Sequence, residues 1–327
     1  MSTKQTQIRS VTVRANARLH LGFFDLNGAL GRKFGSLGVA LAEPVTQLTA
    51  TKASDIHVVG AESQRAETVI KQLIHARQLP LSYGVNVNVQ QAIPAHAGLG
   101  SGTQLALAAG MAFSALYDLN LTPVEIAGMT SRGARSGIGI GTFLHGGVIV
   151  DGGRGANTLI PPVIAHADFP TEWRIILIHD ASHQGLCGEH EQHAFNQLKP
   201  AKIEVSETLC RYVLMQALPA LAEKDLPSFG QAIRALQAAT GDYFAPVQGG
   251  RFASSKVLQV LQFLESQGVS CVGQSSWGPT GFAMVASENQ AKILLEKLAV
   301  LFSAEMSLTF QCVCGENSGA KLTVLQQ

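Results

Sequence analysis

The sequence predicts an α+β protein of two domains, and three features carry the prediction. A length of 327 residues is about twice that of an ordinary domain of ~150. The first part of the chain is β-rich and ends in an alternating strand that passes through glycines into an Ala/Leu-rich helix. The last part sets short strands around a long helix, as in a sheet layered with helices. Pro161, Pro162 and Pro170 cluster between the two parts. The boundary is therefore expected near 160–172, with domains at 1–165 and 166–327.

Taken in order, Val11 and Val13 alternate with polar residues, and Ser36–Leu41 and Val45–Lys52 are rich in β-formers with Pro44 as punctuation between them. Residues 62–77 place Val69, Ile70, Leu73 and Ile74 on one helical face. Tyr83 to Val89 alternates strictly, so Val85, Val87 and Val89 line one side of a half-buried strand. A helix over 104–117 follows. Thr122-Pro123 then reads as an N-cap and first helical residue. A strand lies near Gly147–Asp151, inside a glycine-rich passage from Arg132 to Gly155. Trp173–His179 opens the second domain as a buried strand, and 188–240 reads as helical. Strands at 269–273 and 280–286, a helix at 288–302, and strands at 306–314 and 319–325 close the chain.

Composition narrows the function. Hydrophobic residues make up 46% and charged residues 14%, which supplies a core and excludes a disordered chain. Lys+Arg 24 against Asp+Glu 23 leaves a net charge of +1, so no global field recruits nucleic acid or an acidic membrane. The polar stretch Met1–Ser10 has no apolar signal-peptide core. The five cysteines are scattered and read as reduced thiols. A cytoplasmic protein with small-molecule substrates is expected. A homodimer is the default oligomer on symmetry grounds alone.

The most informative segment is Pro94-Ala95-His96-Ala97-Gly98-Leu99-Gly100-Ser101-Gly102-Thr103, between a strand and a helix. Glycine lets backbone N–H groups approach an anion, and the helix N-terminus adds partial positive charge. Gly98, Gly100, Ser101, Gly102 and Thr103 fit a phosphate loop on those grounds, and a tight strand-to-helix turn is the plainer reading. The segment is neither a Walker loop nor G-x-G-x-x-G.

Pro94-x-x-x-Gly98-Leu99-Gly100-Ser101-Gly102 resembles the phosphate motif of the GHMP kinase superfamily. Arg14-Ala15-Asn16-Ala17-Arg18-Leu19-His20-Leu21-Gly22 resembles its N-terminal motif, and Gly273-Gln274-Ser275-Ser276-Trp277-Gly278-Pro279-Thr280-Gly281 its C-terminal one, in the right order. The resemblance implies a ribosomal protein S5 domain 2-like first domain and a ferredoxin-like second. One departure matters. Superfamily kinases carry an Asp base after Ser-Gly-hydrophobic, whereas Ser136-Gly137-Ile138 is followed here by Gly139. Glycine cannot deprotonate an acceptor alcohol.

The branch that combines these features is the β-ribofuranosylaminobenzene 5′-phosphate synthases. It is resembled also at Phe23-Phe24-Asp25, Gly31-Arg32-x-x-Gly35-Ser36-Leu37-Gly38 and Arg135-Ser136-Gly137-Ile138-Gly139. The resemblance implies phosphoribosyl transfer from phosphoribosyl pyrophosphate (PRPP) to 4-aminobenzoate or 4-hydroxybenzoate. CO2 and pyrophosphate would leave, as the first committed step of tetrahydromethanopterin synthesis. Such a site holds phosphates, seats a flat ring and stabilises positive charge at the ribose C1.

For that chemistry the expected catalytic residues are Asp25, Arg32, Arg18 and His20. Gly98, Gly100, Ser101, Gly102, Thr103, Arg135 and Ser136 are expected to hold phosphate, since guanidinium suits bidentate oxyanion binding. Phe23, Ser276 and Trp277 would line the aromatic pocket. Asp25 beside Asn27-Gly28 also reads as an ordinary turn acid, and phenylalanines more often serve the core. Mg2+ is expected with PRPP, with Glu189 or Asp180 contacting it through water. The wider group of Asp180, His183, Glu189, His190, Glu191 and His193 lacks H-E-x-x-H spacing. The alternatives are an ATP-dependent kinase of the same fold and a non-catalytic phosphosugar- or nucleotide-binding relative.

Overall fold

A computed structural model describes residues 8–80, 82–183, 198–275 and 278–326. Strand β1 (Ile8–Phe23) pairs antiparallel with β3 (Ser36–Ala53). β3 pairs with β5 (Gly84–Gln91), which carries β4 (Ile56–Gly60) in parallel on its outer edge. β6 (Val148–Asp151) continues from the first residues of β3 and takes β8 (Val163–Ala167) alongside. Helices α1 (Ser63–Ala76), α2 (Ser101–Leu116), α3 (Pro123–Met129) and α4 (Ile138–His145) belong to the same half of the chain. Leu105, Phe113, Ile70 and Ile126 pack there against Val11, Val13, Val85 and Val87.

The second sheet is antiparallel in the order β10-β11-β9-β12, from β9 (Arg174–Asp180), β10 (Cys271–Gln274), β11 (Gly281–Val285) and β12 (Leu308–Val313). Between β9 and β10 come α5 (Ile203–Tyr212), a π-helical turn over Val213–Ala217, α6 (Leu218–Glu223), α7 (Leu226–Gln248) and α8 (Ser255–Ser266). Helix α9 (Glu288–Leu301) joins β11 to β12. This is the split β-α-β arrangement of a ferredoxin-like domain. No helix among the described residues is long and apolar enough to cross a membrane.

The structure differs from the sequence reading at five places. Pro44 does not break the strand. β1 steps from Asn16 to Arg18 while β3 steps from Val45 to Ala40, so Pro44 lies in a bulge where no ladder N–H is required. α2 begins at Ser101, not 104, because Gly100 (φ +83°) caps it and the glycine-rich residues form its first turn. Helix α8 falls where the sequence reading assigned no element, although Val257, Val260, Leu261 and Leu264 recur at helical spacing and are buried. β8 is a strand that the sequence reading did not assign. The last strand, β13 (Lys321–Gln326), returns to pair with β1, so the first sheet includes the end of the chain.

The halves share a core. Leu19, Leu21 and Leu37 of the first sheet pack in one cluster with Trp173, Phe229, Leu236 and Phe282. That burial sets β1 against α7 and brings the N-terminal, central and C-terminal glycine motifs together.

Candidate active site

The loop after β5 is built on backbone conformations that only glycine takes without strain. Gly98 has φ +78° and Gly100 φ +83°. The turn delivers Ser101, Gly102 and Thr103 as the first turn of α2, which carries no acidic residue and no side-chain cap. The positive end of the helix is therefore left for another group to neutralise. Two cations converge on it. A methyl group added at Gly102 would lie 3.0 Å from Arg65 Nη2 and 3.1 Å from Arg132 Nη1. Nε of Arg132 is buried without a partner. Burial, then the neighbouring Arg65, pulls the Arg132 guanidinium below its ordinary range. Arg65 pairs with Glu62 at 2.8 Å. Two guanidiniums at a helix N-terminus form a pole suited to a multiply charged anion.

The C-terminal motif closes over the same loop. Cβ atoms at Gly98 and Gly278 would strike each other's backbone, one built on Gly98 falling 2.8 Å from Cα of Gly278. Ser275 ties three motifs: its Oγ donates to the Gly98 carbonyl (2.7 Å) and accepts from the His20 N–H (3.0 Å). Arg18 donates from its backbone to Leu99 O (3.1 Å) and from its guanidinium to Gly98 O. Its side chain lies beneath Gly100. Bulges in the β1–β3 ladder at Asn16/Arg18 and His20/Gly22 flank Arg18 and His20, a device that re-aims side chains beside sites.

Gly139 faces this cradle. A Cβ there would stand 3.1 Å from Thr103 Cγ2, so a carboxylate at 139 would reach the first turn of α2. Ser136, the preceding serine, is turned inward. With Ser36 and the N–H of Gly137 it donates to Asp151 Oδ2, at 2.9, 2.6 and 2.8 Å. Gly153 N–H donates to Oδ1 at 2.9 Å. Burial pushes the Asp151 carboxyl above its ordinary range against these four bonds. Arg135 is half-buried in the same loop.

Asp25 and Arg32 lie in the segment between β1 and β3. The Asp25 carboxylate accepts the N–H groups of Asn27 and Gly28, both at 2.9 Å, and so shapes its own turn. The exposed Arg32 donates from Nε to Gly152 O (2.8 Å) and from Nη2 to Gly153 O (2.7 Å). Next to it, Arg32 and Lys33 form the short strand β2, paired with β7 (Arg154–Gly155). Phe23 is buried, with ring centroids 5.6 Å from Phe34 and 6.0 Å from Phe244.

His20 is 2% exposed, and both of its ring nitrogens lack partners. Burial, then Arg18, holds it neutral down to a pKa of about 3. An unfolded histidine titrates near 6.5. Between these values the unfolded chain binds the extra proton, so this group makes stability fall as pH drops from about 6.5 to about 3. The slope is at most about 1.4 kcal/mol per pH unit. Urea unfolding across a pH series should show it in the wild type and not in His20→Phe.

Asp180 stands apart, at the end of β9. Its carboxylate accepts Ser182 N–H (3.0 Å), Ser182 Oγ (2.6 Å) and Ser254 Oγ (2.7 Å). Burial works to raise it, but these bonds and one from Ser307 bring it down to about 2. Both oxygens are committed to folding, so Asp180 does not fit a magnesium ligand. Glu189, His190, Glu191 and His193, and Ser276 and Trp277 of the expected aromatic pocket, lie outside the described residues. No group of three or more His, Cys, Asp or Glu side chains converges among the described residues. The sequence reading missed Arg65 and Arg132. A signal existed for Arg65, a cation in the first turn of α1 where the helix dipole disfavours one.

Comparison with known proteins agrees with this geometry. Residues 64–147 match the GHMP kinases N terminal domain and 217–303 the GHMP kinases C terminal domain. The chain is 35% identical over 290 residues to a β-ribofuranosylphenol 5′-phosphate synthase of Archaeoglobus fulgidus, covering 84% of this chain and 88% of that protein. A protein of the same name from Methanocaldococcus jannaschii is 32% identical over 317 residues, covering 89% and 93%. Homoserine kinase from Cytophaga hutchinsonii shares the fold, with a TM-score of 0.65 at 16% identity over 99% of this chain and 100% of that one. A GHMP kinase frame without the kinase base, and this level of identity along most of its length, mean that the chain belongs to the β-ribofuranosylphenol 5′-phosphate synthase family of the GHMP kinase superfamily.

Proposed function

We propose that the chain transfers phosphoribose from PRPP to the carboxylate-bearing ring carbon of 4-hydroxybenzoate, releasing CO2 and pyrophosphate as a step of tetrahydromethanopterin synthesis. The hydroxy acid is preferred over 4-aminobenzoate because the relatives are named for a phenol product. The observation that carries the reading is the pairing of a cationic anion cradle with an empty position 139. Arg65, Arg132 and the α2 N-terminus are suited to a diphosphate, while Gly139 beside Thr103 supplies no base for an alcohol. An ATP-dependent kinase needs that base.

The ring carbon bonds to C1 of the ribose as the C1–O bond breaks, and the electron pair leaves with pyrophosphate. The bond to the carboxylate then breaks, its electrons restore the aromatic ring, and CO2 departs. The cradle favours the step by holding the charge that develops on the leaving diphosphate. Magnesium enters as the counter-ion of the donor and is part of the substrate. Asp25 and Arg32 act through the segment between β1 and β3, which they brace from opposite ends.

The test supplies Mg2+, PRPP and carboxyl-labelled 4-hydroxybenzoate and measures labelled CO2. Release should depend on PRPP and be unaffected by ATP. Asp25→Asn and Arg32→Ala should each lower it by roughly a hundredfold, the effect of a ~1 Å misplacement of the segment they brace, with the circular-dichroism spectrum unchanged. Normal turnover in both variants would remove these two residues from the site. Absence of PRPP-dependent CO2 release in the wild type would remove the function.

A further inference from the structure

A neutral imidazole carries one N–H donor and one acceptor nitrogen, and folded proteins rarely bury both without partners. His20 does so, at the wall of a narrow slot lined also by Gly22, Gln237, Thr240, Phe244 and Arg251. Several of these neighbours are already engaged. Gln237 donates to Leu21 O (2.7 Å) and Gln274 O (3.1 Å) and accepts from Gln274 N–H (2.8 Å). Thr240 accepts from Phe23 N–H (3.1 Å), and Arg251 grips Asp242 through two bonds of 2.7 and 2.8 Å. With its cation neutralised in this way, the slot is suited to an uncharged polar group. Its interior of about 20 Å³ admits a single water-sized group and not a ring. One side is aromatic: His20 lies 4.6 Å from Phe23, and Phe23 lies 6.0 Å from Phe244, between ring centroids. The His20 backbone is bonded to Ser275, which is bonded to Gly98 O, so the slot is tied to the glycine loop through one side chain.

Resting on the function proposed above, we infer that this slot receives the para hydroxyl of the aromatic acid, with the ring at its mouth and a nitrogen of His20 accepting the O–H. As the ring carbon bonds to the ribose, the para oxygen becomes a carbonyl oxygen and its proton moves to the imidazole. When CO2 leaves and the ring regains its aromatic electrons, the proton returns to that oxygen. A protonated dienone is a strong acid, so an imidazole kept neutral by burial is base enough.

The test compares equilibrium binding of 4-hydroxybenzoate with that of benzoate, which lacks the para group, by calorimetry. The variants are His20→Phe, which keeps a flat ring, and His20→Gln, which keeps an acceptor. The wild type should prefer 4-hydroxybenzoate by about tenfold, the size of one buried hydrogen bond. His20→Phe should bring the two acids to within about twofold while its benzoate and pyrophosphate affinities stay at wild-type values and its Tm is no lower. His20→Gln should retain part of the preference, and it carries the test if the Phe variant does not fold. A preference kept in full by either folded variant, or absent from the wild type, overturns the assignment, including the case of a resident water only. If the wild type binds neither acid and releases no CO2, the proposed function fails along with the assignment. If CO2 is released but the preference does not depend on residue 20, only the assignment fails.

Discussion

Arg132→Leu should weaken binding of inorganic pyrophosphate, and of PRPP, by about a hundredfold. The reason is the cost of the charge-assisted bonds it would withdraw, ~1.5–3 kcal/mol each, where about 1.4 kcal/mol is a factor of ten. Arg132 stands beside Arg65 at the dipole-positive end of α2 with its Nε buried and unpartnered. In the absence of an anion this arrangement is a net repulsion, so the variant should fold with an unchanged or higher Tm. Arg65→Leu should weaken binding less, since Glu62, half-buried beside it, already shares its charge. Calorimetric titration with pyrophosphate, run beside thermal unfolding, separates the two effects. Unchanged pyrophosphate affinity in both variants would show that the guanidiniums do not serve the cradle.

The second large effect concerns backbone contact. Gly98→Ala should destabilise the chain by about 2–5 kcal/mol and abolish turnover. A left-handed residue with a Cβ costs ~1–2 kcal/mol, and overpacking costs ~1–3 more. Here the new methyl would lie 2.5 Å from Ser275 O and 2.8 Å from Gly278 Cα. Neither obstacle is a flexible side-chain end. Gly100→Ala has a similar φ but meets only Arg18 Cγ, at a looser 3.1 Å, so little beyond the backbone cost of ~1–2 kcal/mol is expected. Gly278→Ala attacks the same contact from the other domain. Combined with Gly98→Ala it should therefore cost less than the sum of the two. Urea unfolding of the four variants measures the series; a Gly98→Ala loss no larger than that of Gly100→Ala would show that the glycine-to-glycine contact is not needed.

Asp25 and Arg32 illustrate how far residue type carries. Both were expected in the site from charge and a matching motif. The structure places their polar groups on backbone partners: Asn27 and Gly28 for one, Gly152 and Gly153 for the other. Phe23 sits in an aromatic core cluster with Leu26 and Phe244. Ser136 points to buried Asp151, a residue that nothing in its local sequence marks as the centre of four hydrogen bonds.

What the sequence determined by itself was whatever depends on neighbours along the chain. The alternation of Val85, Val87 and Val89, the glycines before α2 and the missing acid after Ile138 are local facts, and they sufficed for the fold class, the glycine turn into α2 and the absence of an acid at 139. Tertiary structure alone decided which distant groups meet. Arg65 and Arg132 converge on Gly102 from α1 and from the loop before α4, His20 of β1 is buried against α7 at the wall of a slot, and β13 returns to β1 across the length of the chain. Those outcomes follow from burying one shared core between two sheets, and burial is a property of the assembled surfaces that no short window of sequence contains.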